Sequence, residues 1–279
     1  MAGKITVLCE NTVGRLIGSG EHGFSAFIET ASGNYLFYTG SGHSVVSNSL
    51  ALNKDLKSIR RIFLSHGHYD HTGGLPEVIK IRGNVDVHVH PHVFLDRIHV
   101  IKEDGRETKR FVGIPYKRTY LEFLGANFIT NTDFVEIERG IYLTGEIPRK
   151  NPFEKSDPNL FSGMNGKMNQ DLFLDDQSLI LNTDNGLVVI MGCAHSGMIN
   201  TLHYITHKTG IDRFYAILGG THLGFLNQDQ LEESINLLKK MEIRRIGVSN
   251  CTGMKAAFRL HEEFPNQFFY GHVGSVIEI

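Results

Sequence analysis

Over the first 65 residues apolar and polar positions alternate in short runs separated by glycine turns. Ser25–Thr30 and Tyr35–Tyr38 are rich in aromatic and apolar residues and flank the turn cluster Ala31-Ser-Gly-Asn34, which predicts a hairpin. Asn48–Leu56 has the spacing of a short helix. Arg61–Ser65 is a compact apolar run ahead of a glycine loop, the pattern of a buried strand. Pro76, just after Gly73-Gly74, suits the first turn of a helix through Lys80. Val85–His90 alternates strictly, which predicts a half-buried strand with Asp86, His88 and His90 on a polar face.

Between 91 and 170 the periodicity weakens. This stretch holds the charge cluster Lys102–Arg110, the breakers Pro148, Pro152 and Pro158, and a glycine- and methionine-bearing loop from Ser162 to Met168. It is too long for a simple connection and reads as an insertion or cap that shapes a substrate pocket, with strands near Phe134–Ile137 and Ile141–Thr144. Regularity returns with Ser178–Leu181 and Leu187–Met191, a second hairpin with an Asn-Gly turn. Met198–His207 reads as a helix and Phe214–Leu218 as a strand. Asn227 with Gln230 opens a helix whose apolar stripe is Leu231, Ile235 and Leu238. Ile243–Val248 is a strand and Gly253–His261 a helix. Two β-rich halves alternating with helices imply an α/β fold in one domain spanning 1–279, with 91–170 as its cap.

Composition narrows the function. Lys plus Arg number 28 against 30 Asp plus Glu, a formal net charge of −2, which excludes a nucleic-acid binder working by bulk positive charge. The longest apolar stretch, Leu187–Ala194, falls far short of the roughly 20 residues that span a bilayer, so no membrane partner is expected. Met1-Ala-Gly-Lys4 leads straight into the strand-like Ile5–Leu8 without the pattern of a secretory signal. The 3 cysteines, Cys9, Cys193 and Cys251, are too few and scattered for a disulfide framework. A cytoplasmic location follows as the expectation. The 15 histidines raise the question of a metal.

The informative segment is Ser65-His-Gly-His-Tyr-Asp-His-Thr-Gly-Gly74. In an extended loop His66 and His68 point to the same side, because side-chain direction has period two. Two imidazoles on one side can hold one divalent ion. Where the chain then turns into a helix, Asp70 and His71 are aimed together at a neighbouring position, so one stretch can serve two metals about 3.5–4 Å apart.

This segment resembles the metallo-β-lactamase superfamily, and the resemblance extends over most of the chain. It implies a four-layer αββα sandwich with the metal site at one edge between the sheets. The further elements Gly145-Glu-Ile-Pro-Arg149, Gly192-Cys-Ala-His-Ser-Gly197, Gly219-Gly-Thr-His-Leu223 and Cys251-Thr-Gly253 resemble the branch labelled 7,8-dihydropterin-6-methyl-4-(β-D-ribofuranosyl)aminobenzene 5′-phosphate synthase-like. Expected metal ligands are His66, His68, Asp70, His71 and His195. The all-nitrogen first site favours zinc, one or two ions, with Mn or Fe as alternatives. The superfamily usually supplies its last histidine where this chain has Asn250, so the second ion is expected to be weakly held, or His222 or His272 compensates. Cys193 is read either as a buried thiol or as a replacement for the bridging carboxylate. Asp176 is either a partner orienting a histidine or an ordinary turn residue.

Other histidines carry less. His203 and His207 lie one turn apart on a helix and read as a solvated face. Arg149 and Lys150 read either as a phosphate-binding pair or as a surface loop. Phe153, Phe161 and Met164 line a pocket mouth or pack the cap. The expected function is a metal-dependent hydrolase using metal-bound hydroxide on a phosphate-ester or diphosphate small molecule. Asp70 and His222 are the candidate catalytic residues, one holding the nucleophile and the other donating to the developing oxyanion or leaving group. A pterin-related substrate follows from the resemblance alone. The alternative is a metal-binding sensor or partner-binding protein that kept the site and lost turnover. The expected partner is a small-molecule substrate, and a homo-oligomer remains open.

Overall fold

The computed structural model describes residues 1–14, 16–225 and 227–279. Two large sheets face each other. One has the strand order Val276–Glu278, Gly3–Cys9, Ser25–Thr30, Gly33–Phe37, Ile59–Phe63, Val85–Val89 and Ala126–Thr130. The other runs Phe268–Tyr270, Ile246–Val248, Arg213–Gly219, Gly186–Met191, Leu179–Thr183, Ile141–Leu143 and Val135–Glu138, with Glu242–Ile243 added beside Arg213–Gly219.

Period-two patterning explains the layering. In Gly186–Met191, Val188 and Ile190 join the apolar core shared with the first sheet, while Leu187, Val189 and Met191 join a second core. That second core is closed by three helices: Met198–Thr209, Gln228–Leu238 and Gly253–Glu263. Leu231, Ile235 and Leu238 face it as one stripe. Asn227 caps their helix by accepting the Gln230 N–H at 2.9 Å. On the far face of the first sheet, Val45–Ala51, Leu75–Arg82 and Arg118–Leu124 form the opposite outer layer. The result is the expected αββα sandwich.

Several local expectations shift. The first helix is Val45–Ala51 rather than 48–56, because Asn48 spends its side chain on the Leu8 and Ser19 carbonyls instead of starting a turn. Strand 243–248 breaks at Arg244-Arg245 into two short pieces that both pair with Arg213–Gly219. In Val85–Val89 the polar face is covered toward its carboxyl end, where His88 is 4 % and neighbouring His90 1 % exposed, while Asp86 stays partly exposed.

The stretch 91–170 also divides. Ala126–Thr130, Val135–Glu138 and Ile141–Leu143 belong to the two main sheets. Only two hairpins, Asp96–Glu103 with Arg106–Phe111 and Leu160–Met164 with Lys167–Gln170, form a separate four-stranded sheet. Their turns are Asp104-Gly105 and Asn165-Gly166, all four residues at positive φ (48°, 74°, 53° and 79°). That is the Asx-Gly chemistry that tight hairpins favour, and it turns the charge cluster and the 162–168 loop into strands.

Candidate metal centre

In parallel sheets, ligand sites form beyond the carboxyl ends of the strands, where side chains from successive loops converge. Here the loop after Ile59–Phe63 carries His66 and His68, and the loop after Gly186–Met191 carries Cys193 and His195. His222 follows Arg213–Gly219, and Asn250 follows Ile246–Val248. Holding these loops costs backbone strain. Tyr38, Phe173, Ala194, His222 and Asn250 all adopt left-handed φ, between 46° and 64°. Such non-glycine positions cost about 1–3 kcal/mol each and persist only when surroundings over-determine them.

Two clusters result. In the first, ring nitrogens of His66, His68 and His195 lie within 4.8 Å of one another, all three side chains buried. His66 Nε2 is 3.1 Å from His68 Nδ1. The outer face of His66 is fixed by Tyr38, whose hydroxyl lies 2.6 Å from Nδ1. With Nδ1–H donating to that oxygen, the tautomer leaves the Nε2 lone pair free. His195 Nε2 is buried without a hydrogen-bond partner. Burial first, and then mutual repulsion, hold the His66 and His195 imidazoles well below the usual histidine range; burial does the same for His68. Neutral imidazoles with converging lone pairs are what a divalent cation requires, so the residues fit a metal.

The second cluster joins Asp70, His71, Cys193 and Asn250. His71 Nε2 is 3.1 Å from Asp70 Oδ2 and 3.1 Å from Cys193 Sγ. Asn250 Nδ2 lies 3.5 Å from Asp70 Oδ2, 3.4 Å from His71 Nε2 and 3.8 Å from Cys193 Sγ. Its Oδ1 is buried without a partner, and half a turn of the amide presents that oxygen to the same three atoms. Glu10 holds the Asn250 backbone by accepting its N–H at 2.8 Å. Burial would raise the Asp70 carboxyl, but the neighbouring His71 holds it below the ordinary range. Burial pushes the Cys193 thiol up, a penalty that a coordinating cation reverses.

Asp176 settles the choice left open by its sequence context. It is buried, accepts the Ser196 N–H at 2.7 Å and the Ser65 hydroxyl at 3.3 Å, and so ties the His66 and His195 loops together. Burial pushes it up to about 6. His222 stands 4.4 Å from His195 between ring centroids, with neither ring nitrogen hydrogen-bonded. Burial opposes its protonation, but the adjacent Cys251 more than offsets this and raises its pKa.

Both clusters open on one cavity of about 250 Å³ lined by residues that include His68, Asp70, Cys193, His195, His222 and Cys251. Its outer wall holds His22, Tyr69, His99, Arg110, Asp157 and Phe225. His272 is not among the lining residues, and neither are Arg149, Lys150, Phe153, Phe161 or Met164. His203 and His207 are solvent-exposed on their helix, as expected. Sequence reasoning missed His22, Arg110 and Tyr38 as parts of the site. None carries a local signal: each reaches the centre from a separate strand or loop.

A sequence model of the metallo-β-lactamase superfamily matches residues 18–150. The 7,8-dihydropterin-6-methyl-4-(β-D-ribofuranosyl)-aminobenzene-5′-phosphate synthase of Methanocaldococcus jannaschii is 32 % identical over 267 residues, 92 % of this chain and 90 % of the relative. An uncharacterized protein of the same organism is 31 % identical over 278 residues, covering 99 % of this chain and all of its own length (100 %). Among solved structures, Tm1679, described as a metal-dependent hydrolase of the β-lactamase superfamily, superposes with a TM-score of 0.85 at 26 % identity over 99 % of both chains.

Proposed function

The chain belongs to the metallo-β-lactamase superfamily, and from that premise we propose that it is a metal-dependent hydrolase acting on a phosphate-bearing small molecule. The observation that carries this reading is the convergence of three buried imidazoles, two of which, His68 and His195, line an open cavity. His66, His68 and His195 would hold one divalent cation, most simply zinc given the nitrogen donors. Asp70, His71, Cys193 and the Asn250 amide would hold a second. Bound there, the metal supplies Lewis acidity, lowering the pKa of water toward about 7 and polarising a phosphoryl oxygen.

The chain's own groups supply the rest. His222, on the cavity wall with both ring nitrogens unpartnered, would donate a proton to the leaving group. Arg110 is held over the Tyr69 ring and donates to its hydroxyl at 2.8 Å, which places a cation on the cavity wall for a phosphate. Tyr69 and Phe225 offer aromatic surface to a planar substituent. The name of the Methanocaldococcus relative joins a pterin to a ribosyl phosphate, which fits this pairing of aromatic wall and cation.

The test combines metal analysis with a substrate panel. Purified protein is expected to bind divalent metal and to turn over phosphodiester or phosphomonoester substrates in a chelator-sensitive way. The double variant His66→Ala/His68→Ala is expected to lose the first ion and at least about 1,000-fold in kcat/KM. Full metal content in that variant would defeat the assignment. The amide at Asn250 favours a second reading, a metal-binding sensor, and tight metal binding with no turnover across the panel would establish it.

A further inference from the structure

The cap sheet contributes a buried guanidinium whose position is explained neither by catalysis nor by packing alone. Arg97, on Asp96–Glu103, is 1 % exposed. Its Nε donates to Asp171 Oδ2 and its Nη2 to Asp175 Oδ1, each at 2.7 Å, and both carboxylates are themselves buried. Its Nη1 reaches the His92 carbonyl at 3.5 Å. A fully desolvated Arg between two aspartates is a costly arrangement, and burial of this kind is weak evidence for stability.

Each carboxylate leads to a different arm of the first cluster. Asp175 Oδ2 accepts the N–H of Gly67 at 3.0 Å, the residue between His66 and His68. A Cβ at Gly67 would collide with the Val93 carbonyl and stand 2.7 Å from Arg97 Nη1, so the loop lies flat against the guanidinium. Asp171 Oδ1 accepts the N–H of Phe173 at 2.8 Å. Phe173, itself at φ 50°, stacks on the His195 ring with centroids 3.9 Å apart and planes within 8°. One planar fork thus reaches the His66/His68 arm through Asp175 and the His195 arm through Asp171.

We propose that Arg97 is a positioning residue: through Asp175 and Asp171 it sets the distance between the His66–His68 loop and His195, making the cap sheet part of the metal centre. The inference rests on the reading of the three histidines as metal ligands. Lysine cannot perform this role, because it is a point charge and the two carboxylates require a fork.

The test uses the full chain with cobalt(II) as the probe. Wild-type protein is expected to bind cobalt with the d–d spectrum of a nitrogen-rich site. In metal-free protein, NMR should show the His195 ring protons shifted upfield by the Phe173 face. Arg97→Lys keeps a buried cation and is expected to fold. It should weaken cobalt binding by about 10- to 100-fold, the range for groups that orient metal ligands, alter the d–d spectrum and reduce the upfield shift. Phe173→Leu, which touches one arm without burying a charge, should weaken binding in the same direction by a smaller factor. A folded Arg97→Lys protein with lowered thermal stability but unchanged cobalt affinity, spectrum and ring shift would overturn the proposal and leave Arg97 structural. If the wild type bound no cobalt, the metal assignment itself would fall, and the clamp with it.

Discussion

The two candidate ligand clusters share an edge and a cavity but differ in kind. The first is three imidazoles, all neutral, all buried, and braced from behind by Tyr38, Asp176 and the Arg97 fork. The second mixes a carboxylate, an imidazole, a thiol and an amide within hydrogen-bonding reach of one another. A set of identical neutral donors gives a cation a site whose strength depends on geometry. A mixed set depends on proton release from Cys193 and on which end of the Asn250 amide faces inward. The first cluster is therefore suited to a permanent ion, and the second to one whose occupancy varies with conditions.

The largest test of that contrast is Cys193→Ala. It removes the thiolate from the second cluster and leaves the three imidazoles intact. Metal content measured by mass spectrometry is expected to fall to about one ion per chain, with kcat/KM down by roughly 100-fold. Loss of both ions would show that the clusters are not separable. A smaller effect is expected from Asn250→His, which replaces a weak amide donor by an imidazole. Affinity for the second ion, read by competition with a chromogenic chelator, should rise about 10-fold. No change would mean that Asn250 is outside the coordination sphere.

The smallest effect on the centre belongs to a control outside both clusters. His88 is buried, with Nδ1 unpartnered and Arg61 nearby, and burial first and Arg61 second push its pKa down to about 4. The unfolded chain takes up this proton near pH 6.5, but the folded chain resists until about 4. Stability is therefore intact above about pH 6.5 and falls as pH drops toward 4, by up to about 3 kcal/mol from this group. His88→Gln should flatten that part of the pH–stability curve, measured by urea unfolding, while metal content stays unchanged. A buried histidine with a depressed pKa is thus not by itself a metal ligand; convergence with other donors distinguishes the centre.

Much of this was legible in residue order, because it is local. Period two in Val85–His90 and in the hairpin before Met191 placed strands, and the stripe Leu231, Ile235, Leu238 placed a helix. The spacing of His66, His68, Asp70 and His71 put four donors on one turn of chain, and superfamily resemblance supplied the sandwich. The Asx-Gly turns at 104–105 and 165–166 were equally present as signals, yet the surrounding charge and glycine masked them. What residue order alone left open was every relation across the chain. Whether Cys193 is inert or faces His71, whether Asp176 is a turn or a tie, and that Arg97 governs two loops all depend on contacts between residues 20 to 122 positions apart. Local propensity acts over a few residues, whereas a metal site is a meeting of strand ends. Only the stacking of two sheets brings those ends to one edge and buries their donors together.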